Sequence, residues 1–206
     1  MCGRYVVTNP VSKTNKIVKS AIQIDDKENY NAHPYQKLPV IKKYINGNTL
    51  ENLKWGLVPS WSKKKDFKAL INARLETIDE KISFKKLIKL HRCVAVADGF
   101  YEWKREEKNK TPYYFEREDK KNMYMAGIYE NNEFCLITEN ASENIKPIHH
   151  RQPVILNESD VNRYLNLELS GSNFLRECKK TKLSFYEVSK EVNKPTNNSI
   201  SLIQKL

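Results

Sequence analysis

Seven short apolar runs, each four to seven residues long, crowd the middle of this chain and leave few architectures open. They fall at 37–41, 53–58, 93–97, 100–104, 112–115, 123–129 and 134–138. They carry β-branched and aromatic side chains between polar segments, the pattern of strands. Tyr129 and Phe134 flank Glu130-Asn131-Asn132-Glu133, a polar turn suited to a hairpin. Helical patterns are fewer and unevenly placed. Asn9-Pro10 puts proline at a first helical position, and Ile17, Val18, Ala21 and Ile22 follow at helical spacing. A second helix is expected from Ser83 to about Leu90, with Phe84, Leu87 and Ile88 on its apolar face. A third starts near Ser159, burying Val161, Tyr164 and Leu165, and a fourth near Ser172, burying Phe174, Leu175 and Cys178. A doubly wound α/β sheet requires regular alternation of strand and helix. This order predicts instead an α+β fold with a mainly antiparallel, barrel-like sheet and several flanking helices. With no linker or repeat to divide it, the chain is expected to form a single compact domain, 1–206. The tail from Asn193 reads equally as a surface strand or as an ordered tail.

Charge and cysteine usage narrow the function classes. The formal net charge is +11, and lysines gather at Lys63-Lys64-Lys65, Lys85-Lys86 and Lys120-Lys121. A solvated lysine-rich surface accounts for this as well as a polyanion partner such as nucleic acid does. No apolar run approaches the roughly 20 residues that span a bilayer. The start, MCGRYVV, lacks the charged-then-apolar order of a signal peptide, so an intracellular protein with no membrane partner is expected. The four cysteines (Cys2, Cys93, Cys135, Cys178) form no C-x-x-C pair, which argues against a zinc ribbon or a thioredoxin-type motif. Cys93 and Cys135 sit in the apolar runs CVAVAD and FCLIT and read as core.

Cys2 stands apart at the chain end. With Met1 removed, it would present an amine and a thiol on adjacent carbons. Such a 1,2-aminothiol condenses with an aldehyde to an imine, and the thiol then closes a stable thiazolidine ring. The α-amino group, with a reference pKa of about 7.7–8.0, is partly neutral near pH 7. A chance cysteine at position 2 is the plainer reading. Gly3 permits close backbone approach to a ligand, and Arg4 offers a guanidinium fork to a phosphate. In Leu53-Lys54-Trp55-Gly56-Leu57-Val58-Pro59-Ser60-Trp61, Trp55 reads as core. Trp61 reads either as an exposed stacking surface beside cations or as a half-buried packing residue. Asn72, Arg74 and Glu76 bring an amide, a cation and a carboxylate into one segment. Glu102 lies between aromatics in Asp98-Gly99-Phe100-Tyr101-Glu102-Trp103. It is either a proton-holding general acid against apolar walls or an edge-strand carboxylate facing water. His149 and His150 precede a strand at Arg151-Gln152-Pro153-Val154. Histidine is the usual proton shuttle near neutral pH. A metal site is not expected, because adjacent residues normally point apart and no further ligands accompany them.

Taken in order, the pieces MCGRY, YNAHP, LPVI, WGLVPSW, INARLET, SFKKLIKLHRCVAVADGFYEW, PYYF, AGIY, LIT, IHHRQPVIL and VSKEVN resemble the SRAP family, the SOS-response-associated peptidase domain that shields abasic sites in DNA. They cover nearly the whole chain. The resemblance implies a compact α+β domain with a barrel-like core and no cofactor or metal. It also implies that Cys2, after loss of Met1, forms a thiazolidine cross-link with the ring-opened sugar of an abasic site in single-stranded DNA. Carried over by position, Asn72 positions the sugar and the amine, Glu102 is the acid–base carboxylate, and His149 shuttles protons. Arg4 and Arg74 contact phosphate, and Trp61 stacks in the DNA groove. A lyase side reaction through the imine, and peptidase-like removal of Met1, belong to the same expectation. So do a monomeric state and a cytoplasmic location, nucleoid-associated in a bacterium or nuclear in a eukaryote. Two other readings use the same residues: a non-covalent single-stranded DNA binder, and a cysteine peptidase built on Cys2 and His149. His33, His150 and Gln152 depart from the family pattern; none stands in a catalytic position, and a retuned pocket or groove is their expected effect.

Overall fold

The apolar runs pair mainly with one another. A computed structural model describes residues 2–24, 26–62, 64, 66–107 and 109–206. In chain order its elements are β1 (Tyr5–Val7), α1 (Pro10–Thr14), β2 (Ser20–Ile22), β3 (Asn29–Ala32), β4 (Lys37–Tyr44), β5 (Gly47–Trp55), β6 (Asn72–Arg74), α2 (Leu87–Leu90), β7 (Arg92–Ala97), β8 (Gly99–Glu106), β9 (Asn109–Arg117), β10 (Met123–Glu130), β11 (Glu133–Asn140), β12 (Arg151–Pro153), β13 (Ile155–Leu156), α3 (Glu158–Leu165), α4 (Gly171–Glu177) and β14 (Leu183–Glu187). Antiparallel pairing joins β5 to β4, β4 to β7, β7 to β10 and β10 to β11. Parallel pairing of β11 with β5, Phe134 opposite Trp55, then closes the ring. Closure of the ring leaves only short strands, β2 and β12, at the ends of this sheet's path. The remaining long strands form a second sheet in the order β14-β9-β8-β1-β3. The fold is therefore α+β with a barrel, as the strand spacing predicts.

Side chains alternate across each strand, and that alternation sorts the core into two sets. Ile41, Leu50, Val94, Val96, Ala126, Cys135 and Ile137 pack with residues of α2, α3 and α4. Leu38, Val40, Leu53, Trp55, Cys93, Ala95, Phe134 and Leu136 form the other set, together with Cys2 and Tyr5. The start of the chain is thus built into the core. Among the described residues no helix is long and apolar enough to cross a membrane.

Three local expectations need correction. The first helix stops at Thr14, whose hydroxyl turns back to the Pro10 carbonyl at 2.8 Å, a bond that competes with helix continuation. Ala21 and Ile22 lie instead in β2, a short edge strand parallel to β5. That apolar spacing is helical, but β2 is exposed along its length and is held extended by pairing with β5. The expected caps at Ser83, Ser159 and Ser172 shift: α2 begins only at Leu87, while Asn157 and Ser170 precede α3 and α4. β5 ends at Trp55, because Gly56 turns the chain with φ 131°. The buried helical faces agree with expectation, as does the hairpin joining Glu130 to Glu133. The C-terminal segment is an ordered tail. Asn31 Nδ2 donates to the carbonyls of Lys194 and Asn197 at 3.1 and 2.8 Å, and Leu202 is buried.

Candidate active site

Cys2 is fully buried, and its backbone carbonyl accepts a hydrogen bond from Asn72 Nδ2 at 2.8 Å. Asn72 opens β6, which runs parallel to β11 with Asn72 opposite Leu136. The preceding carbonyl, of Ile71, is taken by the Trp55 indole N–H at 2.9 Å. The core tryptophan of the WGLVPSW segment therefore fixes the strand that presents Asn72. Asn72 Oδ1 is sealed from solvent and accepts no hydrogen bond from the described residues. Burial pushes the Cys2 thiol well above its usual range, and the nearby Glu102 carboxylate adds to the effect. The group at rest is a neutral thiol.

Glu102 sits on β8 opposite Tyr113 and is only 3% exposed. The reading as a proton-holding carboxyl fits this position, and the water-facing one does not. Burial raises its pKa above the usual carboxylate range, against the pull of the Trp103 backbone N–H and of His150. Its Oε1 lies 3.5 Å from His149 Nδ1. His149 precedes β12, and its Nδ1 faces the Arg151 N–H at 3.1 Å and the Arg151 carbonyl at 3.0 Å. Burial lowers the His149 pKa. In water a carboxylate and an imidazole so close would share charge. Here desolvation disfavours charge on both, moving Glu102 toward its acid form and His149 toward its neutral base. The His150 ring does not point away: its centroid lies 4.6 Å from that of His149, with the His150 side chain at the surface. The chain is leaving a helical turn at this point, closed by the His149 N–H to the Ile145 carbonyl at 3.1 Å.

The three residues expected at DNA lie around this centre in different states. Arg4 is anchored: Nη1 donates to Asn31 Oδ1 at 2.5 Å and to the Val192 carbonyl at 2.8 Å, with the guanidinium 6.0 Å from the Trp103 ring centroid. It lines a cleft of about 300 Å³ with Gly3, Glu102, Trp103, Arg105, Lys110, His149 and Asn193. Arg74 is exposed on β6, two residues beyond Asn72. Trp61 is 51% exposed and meets Phe67 edge-on at 6.1 Å. Met1, Lys63 and Lys65 lie outside the described residues. Among the described residues no group of three His, Cys, Asp or Glu side chains is placed to hold a metal ion.

Several contributors were not singled out from sequence. Arg151 is 4% exposed and clamps Glu76 in bidentate fashion at 2.7 and 2.9 Å, so Glu76 braces β12 and is not free for a ligand. Asn31 anchors Arg4. Arg105 and Lys110 face each other across the β8–β9 ladder. That pairing becomes visible in sequence once the hairpin register is known. Of the family departures, Gln152 is buried away from the cleft, bonding Ser142 and Glu139. His33 Nδ1 lies 2.9 Å from the Pro34 carbonyl.

The structure thus brings a buried cysteine near the chain start, an amide on its carbonyl and a contacting carboxyl–imidazole pair into one region of the fold. The chain belongs to the SOS response associated peptidase (SRAP) family, whose profile matches residues 1–195. Similar proteins include the abasic site processing protein YoqW of Bacillus subtilis, 33% identical over 99% of both chains. The abasic site processing protein YedK of Escherichia coli is 28% identical, again over 99% of both. The chicken abasic site processing protein HMCES is 31% identical over 82% of this chain and 64% of its own. A crystal structure of a Bacteroides thetaiotaomicron protein shares the fold, with a TM-score of 0.84 over the whole of both chains at 24% identity.

Proposed function

We propose that this chain processes abasic sites in DNA by capturing them covalently through Cys2, after removal of Met1. The observation that supports this most directly is the gathering of residues from four separate segments: Asn72 Nδ2 holds the Cys2 carbonyl at 2.8 Å, Glu102 Oε1 lies 3.5 Å from His149 Nδ1, and the Glu102 carboxylate is close enough to act on the Cys2 thiol. Relatives over the full length carry the name abasic site processing protein. An abasic deoxyribose is mostly a closed hemiacetal, and opening it requires an acid and a base. His149 takes the anomeric hydroxyl proton while Glu102 protonates the ring oxygen, which leaves as the 4′-hydroxyl. The Cys2 amine attacks the aldehyde carbon, and loss of water gives an imine. The thiol sulfur then bonds to that carbon, the C=N π pair moves to nitrogen, and the thiol proton ends there, giving the thiazolidine. A buried neutral thiol suits this last step, because no thiolate is required. Asn72 holds the Cys2 carbonyl through Nδ2 and leaves Oδ1 for a donor on the amine or the sugar. β-Elimination from the imine would supply a lyase side reaction. Single-stranded DNA fits Arg4, Arg74 and Trp61, which offer cations and a stacking face.

A cysteine peptidase requires a thiolate–imidazolium pair. Burial drives both groups the other way, raising Cys2 and lowering His149. The deciding experiment is intact mass spectrometry of untagged protein, before and after mixing with an oligonucleotide bearing one abasic site. The expected result is a mass lacking Met1, then a heat-stable one-to-one adduct that Cys2→Ala or an extra residue before Cys2 abolishes. An adduct that survives either change would refute the thiazolidine. DNA binding with no adduct would leave a non-covalent binder.

A further inference from the structure

The β8–β9 hairpin carries a charge arrangement that the capture chemistry does not use. Arg105 and Lys110 are direct cross-strand partners, both exposed. Like charges placed opposite each other destabilise a ladder, and either position could take an acid at no steric cost. Neither has an acidic partner among the described residues. The neighbouring Lys104 does, bonding Glu106 at 2.5 Å. Lys110 Nζ sits 4.7 Å from the Trp103 ring centroid, so the indole that faces Arg4 on one contact faces Lys110 on another. Arg4, Arg105 and Lys110 line the same cleft as Glu102 and His149. Three cations lining one cleft, two of them against the Trp103 ring, offer a place for an anion, and a guanidinium fork suits phosphate oxygens.

We propose that Arg105 and Lys110 form a phosphate clamp at the lip of the cleft lined by Glu102 and His149, holding the backbone phosphate next to the abasic sugar. This rests on the reading of the cleft as a DNA site. The hairpin register, and not the motif residues, creates the clamp. Its function is to fix the strand so that the sugar is held against the contacting pair Glu102 and His149.

The test is anisotropy binding of an undamaged, fluorescein-labelled single-stranded oligonucleotide across a salt series. Neutralising one phosphate contributes about −0.7 to the slope of log K against log salt for a single strand. Arg105→Ala with Lys110→Ala should weaken binding severalfold at low salt and flatten that slope by about 0.7, the curves converging at high salt. Arg105→Glu gives the sharper result. It converts the repulsive pair to an attractive one, so thermal stability should rise or hold while binding falls further than with alanine. A purely structural role predicts that stability and binding move together. Wild-type affinity and slope in Arg105→Glu would overturn the clamp. Failure of the capture reading is separate: wild-type protein would then form no Cys2-dependent adduct with an abasic oligonucleotide, whatever its salt slope.

Discussion

Arg151→Lys keeps a cation and removes a fork, which makes it a clean test of how β12, and with it His149, is fixed. The Arg151 guanidinium donates to Glu76 Oε1 and Oε2 at 2.7 and 2.9 Å, to Asn140 Oδ1 at 2.8 Å, and to the Thr138 carbonyl and hydroxyl at 2.7 and 3.2 Å. A lysine ammonium is a point donor and cannot reach both sides of that set. If it stays with Glu76, the fully buried Thr138 loses its partner, at a cost of about 1–3 kcal/mol for an orphaned carbonyl. The lost second arm to Glu76 adds about 1 kcal/mol or less, because the Glu76 side chain is 40% exposed and regains water. The total is about 1–4 kcal/mol, or about 2–16 °C in Tm for a chain of this length. Urea unfolding and a thermal melt read it directly. The rate of adduct formation should fall as well, since the Arg151 N–H faces His149 Nδ1. Glu76→Gln should cost less, because its partner keeps the Thr138 and Asn140 bonds. Stability of Arg151→Lys within 1 kcal/mol of wild type, or a larger loss in Glu76→Gln, would refute the reasoning.

Other perturbations separate stability from chemistry. The folded Glu102 pKa is raised above its ordinary 4.5 by burial, so the stability it contributes is present below that pH and is lost as pH rises through the folded value. Glu102→Gln should therefore equal or exceed wild type in urea stability at pH 8 while slowing adduct formation, and a destabilised but fully active variant would contradict this. His149 is lowered from 6.5, so its contribution is present above that pH and is lost on acidification below it. His149→Gln should flatten the fall in stability from pH 6.5 downward, measured as the urea midpoint against pH. Asn72→Ala should slow adduct formation by about 5- to 150-fold, the equivalent of one oriented hydrogen bond of about 1–3 kcal/mol, with unchanged affinity for undamaged DNA. Trp61→Ala should raise Kd for single-stranded DNA by a similar factor with the salt slope unchanged, since stacking neutralises no phosphate.

The sequence displayed its strands more openly than its helices, for a physical reason. Strands such as β7 and β10 are buried apolar runs flanked by polar turns, and their boundaries fell within a few residues of expectation. The first helix failed because the helical spacing of Ile17, Val18, Ala21 and Ile22 carries no sign of the sheet edge on β5, which holds the exposed residues 20–22 extended. The candidate site was legible residue by residue through the ordered motifs, and burial gave Glu102 and His149 the environment that the motifs alone left open. Arg151 was read only as a cation near two histidines. Its fork depends on Glu76, Thr138 and Asn140, which come together only when β6 and β12 both pair with β11. The Arg105–Lys110 pair was hidden in the same way, since a cross-strand neighbour is a property of register and not of adjacency.

The electrostatics of the site have two scales that act together. At short range, burial holds Cys2 as a thiol, Glu102 toward its acid form and His149 toward its neutral base, so the reacting groups carry little charge. At longer range the chain carries a formal +11, with Arg4, Arg105, Lys110 and Arg151 close to those groups. The same cations that attract a phosphate backbone also disfavour protonation of an amine near them. Under the proposed mechanism the nucleophile is the Cys2 amine in its free-base form, so the surrounding positive field raises the reactive fraction at neutral pH. Recognition and reactivity thus draw on one charge distribution. A variant that removes clamp cations should therefore bind DNA more weakly and also need a higher pH to reach its full capture rate.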